Sequence, residues 1–109
     1  MADHLVVYTT TDSREAAEAL ARSAVEARAA ACAQIDGPIT SAYWWNGELH
    51  TDPEWRVTYK TPAARFADLE AVIKALHAYD VPEIVATDIT HGSAAYLAWL
   101  DEETAPRQP

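Results

Sequence analysis

The sequence predicts an α+β domain with the element order β-α-β-β-α-β and an added C-terminal helix. Three observations carry that prediction: β-rich runs separated by segments of helical apolar spacing, an aromatic run that ends on Asn46-Gly47, and a proline-led β run ahead of the last helix. Asn-Gly is the pair most strongly tied to a two-residue hairpin, because both of its residues accept positive φ.

Residues 4–10 form the first strand, bounded by Thr11-Asp12-Ser13. Asp12 is placed to cap a helix, and Glu15 sits three positions on as in a capping box. Over residues 13–28, Ala16, Leu20 and Ala24 recur at helical spacing with Ala17, Ala21 and Val25, and such small residues let a helix lie close to a sheet. Residues 31–45 read as a long second strand, interrupted at Asp36-Gly37-Pro38. There proline removes a ladder donor and glycine relaxes the backbone, so a bend or bulge is expected.

After the turn, residues 48–50 open a third strand, Thr51-Asp52-Pro53 loosens it and residues 54–61 resume it. Trp55, Val57 and Tyr59 share one face of that strand; Glu54, Arg56, Thr58 and Lys60 share the other. Thr61-Pro62 reads as a cap followed by proline at a first helical position, and Phe66, Leu69, Val72, Ile73 and Leu76 mark the apolar stripe of a second helix. Residues 84–89 form a fourth strand, and Ser93 caps a last helix carrying Tyr96, Leu97, Trp99 and Leu100. Two split βαβ units with right-handed crossovers give a ferredoxin-like antiparallel sheet backed by helices on one side.

The hairpin is apolar on both sides. Ile39, Ser41, Tyr43 and Trp45 share one face, and Thr40, Ala42 and Trp44 share the other. An open sheet in a small monomer usually keeps one wet face, so this surplus calls for a partner chain as second cover. Trp44, Trp45, Trp55 and Trp99 are therefore the expected interface residues.

A chain of 109 residues fits one domain, expected over residues 1–103 with a flexible tail at 104–109. The net charge of −9 comes from 17 acidic and 8 basic residues, and the basic ones form no stripe, so nucleic acid is not an expected partner. An acidic surface serves solubility and also raises the local cation concentration; charge alone does not choose between these. Cys32 is the only cysteine, and no apolar run approaches a membrane span of about 20 residues or follows a basic start, so a cytoplasmic protein outside the membrane is expected. No nucleophile and base pair up in the sequence and no glycine-rich phosphate loop occurs, so no enzyme activity and no required cofactor are expected.

Ala31-Cys32-Ala33, Ile39-Thr40-Ser41, Tyr43-Trp44-Trp45, Gly47, Glu54, Lys60-Thr61, His77, Tyr79, Pro82-Glu83-Ile84 and residues 96–100 resemble, in order and spacing, the CutA divalent-cation-tolerance family. The resemblance spans nearly the whole chain. It implies a ferredoxin-like subunit in a homotrimer whose long bent hairpins pair across subunits, and a link to tolerance of copper and other divalent metals. It also implies three copper ligands, a cysteine on the first strand and two adjacent histidines. The corresponding positions here are Tyr8, Leu76 and His77, so one of the three remains, and Ala78 stands where the family commonly has proline.

His77 lies at the end of the second helix, where capping, packing, metal ligation and proton transfer are all open to it. Cys32 is either a small buried hydrophobe or a soft-metal ligand. These two are the candidate metal residues, for copper or another divalent ion. His4, His50 and His91 form no pair at ligand spacing. Lys60 reads either as a salt bridge to Glu83 or as part of an intersubunit cleft with Ser41, Tyr43, Trp45, Tyr79 and Glu83, in which lysine meets an anion. The implied trimer is similar to that of PII signalling proteins, which makes a small-ligand sensor the alternative to the metal-linked role.

Overall fold

The computed structural model describes residues 2–107. Chain order is β1 (His4–Thr11), α1 (Arg14–Glu26), β2 (Cys32–Trp45), β3 (Glu48–Pro62), a 3-10 turn (Ala63–Arg65), α2 (Phe66–Leu76), β4 (Val85–Asp88) and α3 (Ala94–Thr104). The strands form one antiparallel sheet ordered β2-β3-β1-β4.

Cross-strand register fixes the core. Val7 lies opposite Tyr59, which lies opposite Ala33, and Thr9, Val57 and Ile35 form the next row on the same face. That face is covered by Ala17, Leu20, Ala21 and Ala24 of α1 and by Leu69 and Ile73 of α2, all buried. Fully burying a Leu or Ile side chain contributes about 1.5–3 kcal/mol, and alanines on α1 let it approach the strands closely.

The other face holds Val6, Tyr8, Thr58, Lys60, Cys32 and Gln34. It is not wholly bare, because α3 covers one end: Leu100 is buried, Asp101 Oδ1 lies 2.8 Å from His4 Nε2, and Arg28 Nη1 donates to Glu103 Oε1 at 3.1 Å. Helix α3 also takes in Thr104, whose buried hydroxyl donates to the Leu100 carbonyl. The helix thus runs one residue into the segment 104–109 expected as a tail, of which Gln108 and Pro109 lie outside the described residues.

Several element boundaries differ from expectation. Ser13, not Asp12, caps α1, its Oγ accepting from Ala16 N–H at 3.1 Å. Thr61 caps nothing: it is buried in β3 and donates to the Ala29 carbonyl at 2.7 Å. Strand β3 runs unbroken through Pro53, opposite Thr40. That is permitted because β1 pairs with β3 only from Trp55 onward, so Pro53 sits where one edge of the strand has no neighbour to receive an N–H.

The β2–β3 hairpin projects from the domain. Its turn residues Asn46 and Gly47 have φ of 51° and 78°, both positive as a type I′ turn requires. The expected bend is present as a register shift between Asp36 and Ile39, with a cis Gly37–Pro38 peptide. The molecule measures 45 × 32 × 21 Å with a radius of gyration of 14.6 Å, against about 13 Å for a compact chain of this length.

Candidate functional site

The segment between α2 and β4 is tied back to the sheet by one imidazole. His77 Nδ1 accepts from Tyr79 N–H at 3.1 Å, so the proton sits on Nε2, which donates to the Thr10 carbonyl at 2.8 Å. The Tyr79 ring packs on the imidazole at 4.8 Å, and its hydroxyl donates to Glu54 Oε2 at 2.8 Å. A groove of about 670 Å³ opens between this segment and the hairpin, lined by Thr10, Glu54, residues 41–45, residues 78–81 and Glu83.

Of the residues expected to share an intersubunit cleft, Ser41, Tyr43, Trp45, Tyr79 and Glu83 line this groove of the single chain. Within one chain Lys60 lies outside it. It lies on β3 opposite Cys32, and its Nζ donates to Gln34 Oε1 at 2.8 Å instead of pairing with Glu83. Among the described residues the groove is lined by carboxylates and aromatic rings and by no Lys, Arg or His.

The phenols answer to this environment. Burial, then the hydrogen bond to Glu54, holds the Tyr79 phenol well above its ordinary value. The Tyr43 hydroxyl donates to Asp52 Oδ2 at 2.7 Å; that bond raises its pKa, and its ring stacks on His50 at 5.5 Å.

The two candidate metal residues are not brought together. Cys32 reaches β1 at Val6 through Lys60, whereas His77 binds Thr10, four residues along the strand and roughly 13 Å away. Cys32 Sγ lies 3.5 Å from the Tyr96 hydroxyl, and desolvation, then this contact, pushes the Tyr96 phenol up to about 12. Both nitrogens of His77 are engaged, and among the described residues no three His, Cys, Asp or Glu side chains cluster to hold a metal.

The expected interface tryptophans divide. Trp44 is 72% exposed, Trp45 and Trp99 are also open, and Trp55 packs partly against the core beneath Gly37. Glu54 is the residue sequence reasoning missed as part of a site. Strand alternation places it on the polar face with Arg56, yet the structure leaves it 9% exposed. The register shift and the Tyr79 hydroxyl that bury it are not local signals.

No helix among the described residues is long and apolar enough to cross a membrane. The family model described as CutA1 divalent ion tolerance protein matches residues 5–103. A Thermus thermophilus relative named divalent-cation tolerance protein CutA is 46% identical over 99 residues, which cover 91% of this chain and 96% of that protein. A rice relative, Protein CutA 1, chloroplastic, is 41% identical over 92% of this chain and 56% of its own length. A solved structure of the divalent cation tolerance protein from Thermus thermophilus superposes with a TM-score of 0.90 at 44% identity, covering 94% of this chain and 99% of that one. Sequence and architecture agree over nearly the full length, and the chain belongs to the CutA1 divalent ion tolerance protein family.

Proposed function

We propose that this protein acts in divalent-cation tolerance as a non-catalytic, cytoplasmic homotrimer of ferredoxin-like subunits that binds copper or another divalent metal only weakly. The observation that carries the reading is the family match over residues 5–103, whose relatives are named for cation tolerance and not for a reaction. Exposed aromatic side chains on both faces of the hairpin support the assembly. The single cysteine, without a disulfide partner, fits a reducing compartment.

Weak metal binding follows from His77. To take a metal it must surrender the Thr10 carbonyl or the Tyr79 N–H, and it belongs to no cluster of three ligating side chains among the described residues. The alternative, a sensor of a small ligand in an intersubunit cleft, is not favoured, because the relatives are named for cation tolerance. Calorimetric titration of copper(II) into wild type and His77→Ala tests the metal reading. The expected result is binding in the range of about 10 µM or weaker, reduced a further several-fold in the variant. Equal affinity in both proteins removes His77 from the account.

A further inference from the structure

We propose that a second copy of this chain completes the groove, with Lys60 of the partner subunit pairing with Glu83 at its rim and Glu54 within it. The proposal rests on the homotrimer reading above and adds which surfaces of the subunits meet. Strand alternation puts Glu48, Asp52, Glu54, Arg56 and Lys60 on one face of β3, opposite to the face on which Val57 and Tyr59 are buried beneath α1 and α2. Charge along that outward face is divided. The hairpin half carries the three carboxylates, and the half over the domain carries the two bases.

The two bases are placed differently. Arg56 meets a carboxylate of its own chain, with Nη1 3.7 Å from Asp36 Oδ2. Lys60 donates to the neutral amide of Gln34 and, among the described residues, has no carboxylate of its own chain within ion-pair distance. Six positions along β3 separate it from Glu54, roughly 20 Å, so the two halves of the face cannot satisfy each other within one subunit.

Between identical subunits, a contact that joins two unlike patches and repeats around a closed ring leaves neither patch over. The acidic half of one β3 face against the basic half of the next is such a contact, and it carries Lys60 to the groove carboxylates. Trp44 and Trp45 line the same groove, so the ion pair and the apolar contact expected of the hairpin belong to one interface. Water excluded by the tryptophans makes the pair stronger than an exposed one.

Lys60 and Lys74 are the only lysines, and Lys74 pairs with Glu70 inside α2, which makes an amine-to-carboxylate cross-link simple to assign. Isotopically heavy and light protein are mixed, equilibrated and treated with a water-soluble carbodiimide, which joins groups already in contact. Mass spectrometry should find Lys60 of one isotope joined to Glu83 or Glu54 of the other. Lys60→Met should abolish that link and dissociate at about tenfold higher protein concentration than wild type. Lys60→Glu should weaken assembly further, and adding Glu83→Lys, at an exposed position, should recover most of that loss. Far-ultraviolet circular dichroism checks that each variant is folded, and the wild-type cross-link needs no variant. A trimer by sedimentation in which Lys60 forms no link between chains, or in which folded Lys60→Met dissociates like wild type, overturns the proposal and leaves the assembly standing. A well-folded monomer overturns both.

Discussion

Arg28 shows how one residue can carry a junction. Helix α1 ends in a Schellman arrangement, with Ala29 N–H bonded to Ala24 O and Arg28 N–H to Val25 O, and Arg28 takes the left-handed position with φ of 61° where glycine is usual. Its carbonyl accepts from Arg65 Nε and Nη2 while its guanidinium holds Glu103, so one strained residue ties α1 to α2 and α3. The tyrosines supply a pH test at the same scale. Burial raises Tyr59 and Tyr79 above their ordinary value, and desolvation lifts Tyr96 to about 12. Unfolded tyrosines ionise near pH 10, so above it the unfolded chain has released protons that the native state retains. The neutral-phenol stability is therefore fully present below about pH 10 and is lost as pH rises through the folded values. Urea midpoints should fall between about pH 10 and 12, less steeply in Tyr79→Phe; a flat profile would show that the folded phenols titrate like free tyrosine.

The hairpin is the element on which the site depends, and its two glycines differ in kind. At Gly47 a Cβ would meet nothing within 4 Å, so Gly47→Ala should cost only the left-handed strain of about 1–2 kcal/mol. At Gly37, with φ of 150°, a Cβ would lie 2.8 Å from Trp55 Cδ1 and 3.0 Å from the Glu54 carbonyl and Trp55 Cα. Backbone crowding adds to strain there, and Gly37→Ala should cost about 2–4 kcal/mol by urea denaturation. Equal losses at both positions would mean that the bend tolerates a side chain. Both positions were legible in the sequence, because a turn and a bend are demands on one or two residues' φ. The content of the groove was not: Glu54 and Lys60 share a strand face, yet a register shift and one loop bury the first and leave the second elsewhere.

For the whole molecule, the dominant feature is uncovered apolar surface. Trp44 at 72% and Leu49 at 63% exposure lie opposite one another on β2 and β3, and Val85 on β4 is also open. Burying such a tryptophan against a neighbour would contribute about 2–3 kcal/mol per chain. Sedimentation should find a trimer of 12.0 kDa chains, and Trp44→Ser should dissociate at higher concentration than wild type while each subunit keeps its fold. A well-folded wild-type monomer at low micromolar protein would refute the assembly.

Local chemistry in the sequence determined the order of elements, the Asn46-Gly47 turn, the bend at residues 36–38 and the burial of Leu69 and Ile73 on α2, though Leu76 of the same expected stripe is exposed, because periodicity and backbone preference act over a few residues. Tertiary structure alone decided that α1 ends on a left-handed arginine, that β3 passes through Pro53 on a free edge, and that His77 spends both nitrogens as a tether. It also decided that the groove is acidic. Each of these follows from contacts between segments far apart in the chain, where the partner, and not the residue's own propensity, sets the outcome.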